Sequence, residues 1–302
     1  MKVLIIGLGS IAKKHISALN EIGNFDIHAY RSSHDSQNYN GVKNVYEEKG
    51  FDKYDFFLIS NPTSKHLGTI KSLLKYKKPL FIEKPLFSDT GAEYQKIVQE
   101  IEESDIPSYI GCNLRFLKSL QKMKELFSSL IVNEINIYCG SYLPDWRPGT
   151  DYRKVYSANR KQGGGVNKDL IHELDYLYWI AGEPVNSRAV FKSNSSLSID
   201  AIDYANYIWE YDGFCANIIL NYYRRDPKRT FEIVAQEGTY LVDLLANRIT
   251  KNGEVIFASD YDIGETYFDQ MKYFTDEILI KGESSTNNSL TAYKILELCL
   301  KN

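Results

Sequence analysis

The sequence has few of the features that mark specialised classes of protein. Among 302 residues there are four cysteines, Cys112, Cys139, Cys215 and Cys299, and they are widely scattered. This spacing excludes a zinc ribbon, a C-x-x-C redox motif and a disulfide framework, and we expect no metal site. Basic and acidic residues nearly balance at a net charge of −3, which argues against non-specific nucleic-acid binding.

Long apolar runs, internal repeats and low-complexity segments are also missing from the sequence. A membrane helix needs about 20 consecutive apolar residues, and no run approaches that length. The N-terminal MKVLIIGLGS lacks the apolar length and the small-residue cleavage site of a secretory signal. The composition, 43% hydrophobic and 25% charged, is that of a globular protein with ordinary cores. We therefore expect a soluble cytoplasmic protein with neither a membrane nor a nucleic-acid partner.

The first third of the chain alternates short apolar segments with segments of helical spacing. Residues 2–6, 25–30 and 54–60 predict strands, whereas residues 10–22 and 63–76 predict helices. Strands that alternate with helices of about 10–15 residues indicate a parallel, doubly wound sheet. The sequence thus predicts an α/β protein whose N-terminal Rossmann dinucleotide-binding domain spans residues 1–116.

The pattern changes in the rest of the chain. The elements predicted there are helices 117–130, 166–181, 266–280 and 290–300 and strands 134–142, 201–210, 214–223, 230–235 and 239–244. Consecutive strands without intervening helices indicate an antiparallel sheet. We therefore expect residues 117–302 to form an α+β domain with one open, mainly antiparallel sheet. Whether the closing helices pack back on the first domain is left open.

The segment GLGSIA at 7–12 has the G-x-G-x-x-A pattern of a dinucleotide-binding turn, and it joins the first predicted strand to the first predicted helix. Gly7 permits the tight turn, and Gly9 lets backbone N–H groups approach a pyrophosphate. We expect Gly7, Gly9, Ser10 and Ile11 to bind the cofactor. The alternative is a glycine-rich turn that merely connects strand and helix.

The end of the second predicted strand indicates which dinucleotide binds. An NAD site places a carboxylate about 20 residues after the glycine motif, whereas this chain reads Arg31-Ser32-Ser33. Arg31 can pair with a 2′-phosphate, and the two serines can donate hydrogen bonds to its oxygens. We therefore predict NADP in preference to NAD. The alternative is a solvated arginine in an ordinary loop.

Three further motifs follow in order: NPTSKH at 61–66, EKP at 83–85 and GGGVNKDLIHELD at 163–175. With the glycine motif, they resemble the Gfo/Idh/MocA oxidoreductase family, which includes glucose–fructose oxidoreductase and inositol dehydrogenase. The resemblance covers essentially the whole chain. The segments CNLRF at 112–116 and WRPGTDYR at 146–153 also look like a subgroup linked to bacterial surface-sugar biosynthesis.

The resemblance implies an NAD(P)-dependent oxidoreductase that transfers a hydride to or from a carbon of a sugar, amino sugar or nucleotide sugar. The further cofactor contacts that it implies are Ser60, Asn61, Pro62, His66, Glu83, Lys84 and Asn113. Two alternatives stay open: a reductase of C=C or C=N bonds, and a non-catalytic NAD(P)-binding sensor. A sensor has no need of a proton relay.

His172 is the predicted general base, because an imidazole titrates near pH ~6.5. Asp169, three residues earlier on the predicted helix, is expected to orient that imidazole, although many family members space the pair by four. Lys84 is expected to donate a hydrogen bond to the substrate oxygen, as the resemblance implies. If His172 is structural, Tyr152 or Tyr176 would carry the proton. The remaining histidines, such as His15, His28 and His34, are interpreted as surface or structural residues.

The polar and aromatic tract 141–162 is expected to recognise the substrate. Aromatic rings stack on sugar carbons, and arginines bind phosphate or carboxylate. The predicted substrate contacts are Arg115, Trp146, Arg147, Tyr152, Arg153, Asp169 and His172. The alternative for this tract is an aromatic surface or a subunit arm.

The strands of the second half carry many aromatic residues, and the open face of their sheet is expected to hold several of them. The candidates are Tyr204, Tyr207, Trp209, Tyr211, Tyr222 and Tyr223. Such a patch is large for a soluble monomer, and the family resemblance implies sheet-to-sheet contacts. We therefore predict a homodimer, or a tetramer built from it, through this sheet.

Overall fold

A computed structural model describes residues 1–34 and 38–301 of the chain. The chain divides into two compact units, Met1–Asn113 with Gly264–Leu296 and Leu114–Ile263 with Glu297–Asn302. The first unit thus ends three residues before the predicted boundary and includes a distant segment from the end of the chain. In the described ranges, no helix is long and apolar enough to cross a membrane.

The first unit contains a six-stranded parallel sheet. Its strands are β1 Lys2–Ile6, β2 Asp26–Tyr30, β3 Lys43–Val45, β4 Phe56–Ile59, β5 Leu80–Ile82 and β6 Ser108–Ile110. Their spatial order is β3-β2-β1-β4-β5-β6, which is the order of dinucleotide-binding folds. The central strands β1 and β4 are apolar along almost their whole length, because helices cover both faces of the sheet. The predicted α/β fold is confirmed.

Helices of the first unit alternate with these strands. They are α1 Ser10–Ile22, α2 His66–Leu73 and α3 Ala92–Glu103, joined late in the chain by α7 Thr266–Tyr273. Short 3-10 turns flank α2 and complete the helical segment predicted over 63–76. The helix predicted over 266–280 corresponds to α7, which continues as π-helical turns over Phe274–Ile280. Phe274 packs its ring edge against Phe56 and Phe81, at 5.3 Å from each centroid.

The second unit contains an eight-stranded mixed sheet. Its strands are β7 Val132–Tyr142, β8 Asn186–Lys192, β9 Tyr204–Glu210, β10 Cys215–Asn221, β11 Tyr223–Ala235, β12 Gly238–Asp243, β13 Arg248–Lys251 and β14 Glu254–Ala258. The order is β14-β13-β12-β11-β7-β10-β9-β8, and only the β7–β10 pair is parallel among the pairs of this sheet in the described chain. Helices α4 Lys118–Phe127, α5 Val166–Asp169 and α6 His172–Ala181 pack on one face. The final helix, α8, spans Ser289–Leu300.

The single helix predicted over 166–181 is wrong. The chain leaves helical geometry at Leu170, which has φ −101° and ψ 29°, and resumes it at His172. Every residue from Val166 to Leu177 except Asp169 is buried. The segment therefore has no exposed face, and tertiary contacts rather than helical amphipathicity determine its geometry.

The prediction that aromatic residues lie on the open face is wrong for Tyr207, Trp209 and Tyr222. All three are completely buried, because strand alternation turns them toward the helices. Tyr204 is half-buried and Tyr223 is exposed. The open face carries half-buried Tyr138 and Tyr204 beside amide, charged and aliphatic side chains.

Candidate active site

The glycine turn after β1 is held by close packing against the segment after β4. Gly7 has φ +98°, and a Cβ there would lie 2.3 Å from the backbone nitrogen of Asn61. Only glycine fits this turn without a backbone shift. Gly9 is exposed, and a Cβ at Gly9 would meet no described atom within 4 Å. The turn is thus crowded behind Gly7 and open beside Gly9.

Helix α1 begins at Ser10, and no side chain of the described residues caps its start. Gly9 supplies no side-chain cap, and the first turn contains no acidic residue. Uncapped N–H groups and the helix dipole together favour a phosphate at this end. Ala12 is completely buried, consistent with close packing of α1 on the sheet.

Arg31 directly follows β2, and its backbone N–H donates to Val45 O at 2.8 Å. Its side chain is half-buried, and Nη1 is buried without a hydrogen-bond partner in the described residues. Ser32 and Ser33 are exposed beside it. The guanidinium therefore has hydrogen-bonding capacity left for a ligand.

The segment after β4 contains Ser60 and Asn61. The Ser60 hydroxyl donates to Gly7 O at 2.8 Å, which ties the two strand ends together. The Asn61 amide nitrogen donates to the Thr69 hydroxyl at 2.8 Å, while Oδ1 is buried without a partner in the described part of the chain. Pro62, next in the chain, is exposed. Asn61 Oδ1, like Arg31 Nη1, is thus a polar atom that a cofactor could satisfy.

His66 lies behind these segments rather than among them. It is almost fully buried, with Nε2 3.0 Å from Asn61 O and Nδ1 3.0 Å from Leu86 O. Burial lowers the pKa of His66, so the ring is neutral and donates to one carbonyl at a time. His66 thus supports the segments after β4 and β5, and its direct contact with the cofactor stays a prediction.

Glu83-Lys84-Pro85 follows β5, and the Lys84–Pro85 peptide bond is cis. Lys84 is half-buried. Glu83 Oε1 lies 2.5 Å from Nε2 of His15, a completely buried residue of α1. Sequence analysis missed this contact, although the spacing of His15 from Ala12 and Leu19 places it on the buried stripe of α1. Beyond β6, the Asn113 amide donates to the Thr266 hydroxyl at 2.6 Å.

In the second unit, Asp169 is bonded to a residue that sequence analysis assigned only to the sheet. The Tyr222 hydroxyl donates to Asp169 Oδ2 at 2.5 Å. Burial, followed by the Asp169 charge, raises the pKa of Tyr222 well above its ordinary value. Trp146 packs its ring edge on Tyr222 at 5.3 Å and is 39% exposed. Asp169, Tyr222 and Trp146 therefore form one contiguous group.

The helix break changes the expected relation between Asp169 and His172. The two residues lie in α5 and α6, so they do not share the continuous helical stripe that was expected. His172 opens α6 and is buried with 9% exposure. Tyr176, an alternative proton carrier, is completely buried against Phe231, which excludes it from contact with a substrate.

Arg115, expected to bind substrate, is buried instead. Its Nε and Nη2 donate to the Asp175 carboxylate at 2.9 and 2.7 Å. The side chains of Arg115 and Asp175 are 6% and 2% exposed. Such a paired guanidinium is part of the core, and its contact with a substrate stays a prediction.

The tract 141–162 is stabilised by short 3-10 turns. The Tyr152 hydroxyl donates to Leu197 O at 3.1 Å, and Arg153 Nε donates to Asp151 at 3.2 Å. Trp146 Nε1 donates to the Ser141 hydroxyl at 2.9 Å. Arg147 is exposed. Of the substrate contacts predicted in this tract, Tyr152 is half-buried, whereas Trp146, Arg147 and Arg153 are exposed.

Comparison with known proteins agrees with this architecture. Residues 1–110 match the model of the oxidoreductase family with an NAD-binding Rossmann fold, and residues 120–241 match the Gfo/Idh/MocA C-terminal domain. The myo-inositol 2-dehydrogenase of Thermotoga maritima is 26% identical over 211 residues, 65% of this chain and 59% of that protein. The rhizopine catabolism protein MocA of Rhizobium meliloti is 26% identical over 61% of this chain and 58% of its own length.

The match therefore spans less than two thirds of the length of these relatives. Among solved structures, a UDP-N-acetylglucosamine 3-dehydrogenase from Acidithiobacillus ferrooxidans superimposes with a TM-score of 0.80 at 19% identity, covering 99% of this chain and 95% of that chain. That likeness shows a shared fold over nearly the whole chain. The two family models together cover most of the sequence and confirm the resemblance first indicated by the motifs. The chain belongs to the Gfo/Idh/MocA oxidoreductase family, whose N-terminal domain is an NAD-binding Rossmann fold.

Proposed function

We propose that this protein is an NAD(P)-dependent dehydrogenase or reductase that acts on a CH–OH or C=O group of a sugar, amino sugar or nucleotide sugar. The observation that carries the proposal is the carboxyl edge of the first sheet. There, the segments after β1, β2, β4 and β5 surround the topological switch point between β1 and β4. The inositol and UDP-N-acetylglucosamine dehydrogenases among the proteins compared support a sugar-like substrate.

The residues of this edge fit a dinucleotide. Gly9 leaves open space beside the uncapped start of α1, where the N–H groups of Ser10 and Ile11 would bind a pyrophosphate. Arg31 Nη1 and Asn61 Oδ1 are buried polar atoms without partners in the described residues. Arg31, with Ser32 and Ser33, would bind a 2′-phosphate, which favours NADP over NAD. When bound, the nicotinamide supplies or accepts the hydride.

Lys84 and His172 are proposed to act on the substrate oxygen. The Lys84 ammonium would donate a hydrogen bond and place positive charge where an alkoxide develops. His172 would accept the hydroxyl proton during oxidation and return it during reduction. Asp169, fixed by the Tyr222 hydroxyl, would orient the imidazole.

Substrate specificity is proposed to come from the tract 141–162. Trp146 presents an exposed indole for stacking on sugar carbons, and Arg147 and Arg153 are exposed cations that suit a phosphate or carboxylate. Tyr152 would contribute its ring, because its hydroxyl is bonded to Leu197 O.

Cofactor titration and kinetics test the proposal in sequence. Intrinsic fluorescence is expected to give tighter binding of NADPH than NADH, and Arg31→Ala should weaken NADPH selectively. Arg188→Ala, which removes an exposed arginine of β8, is the matched control and should change neither affinity. Equal affinities for both cofactors in the wild type would refute the Arg31 assignment.

Turnover is then measured on a panel of sugars and nucleotide sugars. His172→Ala and Lys84→Ala are each expected to lower kcat by roughly a hundredfold or more, the usual scale for an acid–base or electrostatic group. His172→Ala should leave cofactor affinity unchanged. A wild-type protein that binds NAD(P)H tightly but oxidises or reduces no member of the panel would favour the sensor.

We also propose that the open face of the eight-stranded sheet forms a two-fold contact between copies. Glu134 lies in one cross-strand row, in which Glu210 is already paired with Arg188, whereas Lys192 and Lys228 end another row of the same face. A two-fold axis between the rows would set Glu134 of each copy against a lysine of the other. Light scattering is expected to give at least twice the chain mass of 34.7 kDa, and reversal of both lysines to glutamate should halve it. A wild-type mass of one chain would refute the contact.

A further inference from the structure

Glu83, the residue directly before Lys84, forms a buried imidazole–carboxylate pair with His15. This pair takes part in no step described above. His15 of α1 is completely buried, and its Nε2 is 2.5 Å from Oε1 of Glu83. The other ring nitrogen, Nδ1, is buried and has no hydrogen-bond partner within the described ranges. A buried polar group that lacks a partner is costly, so the pair calls for a physical explanation.

The geometry determines where the proton of the pair lies. His15 is flanked by the ring of Phe81 at 4.9 Å and that of Tyr267 at 6.0 Å. A proton on Nδ1 would be an N–H donor without an acceptor in this environment, which is costly whether Glu83 is ionised or neutral. In the favoured arrangement the imidazole donates from Nε2 to the Glu83 carboxylate. The pair then carries one net negative charge, located on Glu83.

Three elements hold that carboxylate in place. The Glu83 backbone N–H donates to Ile59 O at 2.8 Å, which fixes the end of β5 beside β4. A Cβ at Gly111, just after β6, would lie 3.0 Å from Glu83 Oε1, so the carboxylate is packed between α1 and this segment. The Glu83 side chain keeps 10% exposure. It is therefore a nearly immobile charge that still reaches the surface of the carboxyl edge.

The position of Glu83 in the sheet associates this charge with the nicotinamide. A dinucleotide binds across two mononucleotide-binding halves of the fold, and the half formed by β1–β3 contains the glycine turn and Arg31. The half formed by β4–β6, to which Glu83 belongs, is left for the nicotinamide nucleotide. An oxidised nicotinamide ring is cationic and a reduced ring is neutral. A fixed negative charge therefore attracts the oxidised form selectively.

We propose that His15 is a positioning residue that holds the Glu83 carboxylate aimed at the nicotinamide subsite, so that the pair strengthens binding of oxidised cofactor relative to reduced cofactor. The inference rests on the cofactor site proposed above. Lys84, next in the chain, acts on the substrate oxygen, whereas the His15–Glu83 pair acts on the redox balance of the bound cofactor.

Isothermal titration with NADP⁺ and NADPH, without sugar, tests the proposal. Glu83→Gln is the decisive variant, because the amide oxygen still accepts from His15 while the charge is lost. The ratio of NADP⁺ to NADPH affinity is expected to fall about tenfold, which corresponds to about 30 mV in the two-electron potential of the bound cofactor. His15→Leu should lower the ratio in the same direction. His15→Gln, which keeps a neutral N–H donor, should preserve it.

Two controls separate this effect from a loss of structure. His28→Leu removes another imidazole near a carboxylate, Nε2 to Asp26 at 3.1 Å in β2, and should leave the ratio unchanged. 2′-Phospho-ADP-ribose, which is NADP without the nicotinamide, should bind Glu83→Gln and the wild type equally. A Glu83→Gln protein that binds 2′-phospho-ADP-ribose normally and keeps the wild-type ratio overturns the proposal. A wild type that binds neither NADP⁺ nor NADPH overturns the cofactor site itself.

Discussion

Removing the Arg115 guanidinium tests whether this residue belongs to the core or to the substrate site. Arg115→Met keeps most of the aliphatic volume but leaves the Asp175 carboxylate, 2% exposed, without its counter-charge. Breaking a buried ion pair at one partner costs about 3–5 kcal/mol. A domain of roughly 150–250 residues shifts its melting temperature by about 2–4 °C per kcal/mol. We therefore expect the unfolding midpoint of the second unit to fall by about 6–20 °C.

Differential scanning calorimetry measures this shift in melting temperature. Two further variants, a double replacement and an exposed-pair control, show whether the shift comes from the buried ion pair. The double variant Arg115→Met with Asp175→Leu should recover most of the loss, because apolar replacement of a whole buried ion pair is often neutral or stabilising. Lys122→Met breaks the exposed pair with Glu125 in α4, in which the lysine side chain is 43% exposed. That control should cost at most about 1 kcal/mol.

The kinetic result decides between the two roles of Arg115. If Arg115 is only a core residue, the double variant, in which both partners of the ion pair are replaced, should keep the KM for sugar near the wild-type value. If Arg115→Met keeps the wild-type midpoint and raises KM by tenfold or more, the guanidinium contacts substrate. The interpretation as a buried pair would then be refuted.

Three other results are expected. Tyr222→Phe should lower kcat/KM by about tenfold at unchanged cofactor affinity, because a hydrogen bond to a charged group such as Asp169 contributes about 1.5–3 kcal/mol. Steady-state kinetics together with cofactor titration would show this result. Burial, helped by the Arg115 charge, lowers the pKa of Lys124 to about 8. The unfolded chain therefore binds more protons above that pH, and stability should rise with pH between about 8 and 10.5. Urea unfolding at pH 7.5 and 9.5 should show a larger rise for the wild type than for Lys124→Met. Buried Cys139, whose pKa is raised by burial, should stay unmodified by iodoacetamide at pH 8 in the folded protein and react after urea unfolding, as peptide mass spectra would show.

Local signals explain why the first unit was predictable. Strand, glycine turn and helix follow one another at 2–22, and each transition is marked by residues whose backbone preferences are strong. The parallel sheet follows from that alternation, since a strand–helix–strand unit forms a right-handed crossover. Gly7 and Gly9 could therefore be assigned distinct roles before the structure was known.

Pairs of distant residues explain what was missed. Glu83 lies 68 residues from His15, and Asp175 lies 60 residues from Arg115. In a single sequence, neither a histidine such as His15 nor an arginine such as Arg115 indicates whether its partner is a side chain, a ligand or water. A buried histidine and a substrate-binding arginine look the same in a single sequence, because burial is a property of the assembled fold.

Two predictions about the second unit, the aromatic open face and the continuous helix 166–181, were wrong for further physical reasons. Strand alternation fixes which residues share a face but not which face is covered, so the direction of Tyr207 and Trp209 was left open. The break at Leu170 occurs in a segment buried on all sides, where no apolar stripe marks the end of a helix. Asp169 could be named as a candidate, but its partner Tyr222 could not.

The discontinuous first unit has a consequence for synthesis of the chain on the ribosome. Residues 1–113 are made first, but the helix that covers Phe56 and Phe81 with Phe274 belongs to the segment Gly264–Leu296. At about 5–20 residues per second, that segment emerges roughly 10–30 s later. During this interval the nascent sheet has an uncovered aromatic surface, which is a site for chaperone binding. A fragment that ends at residue 113 would keep that surface exposed permanently.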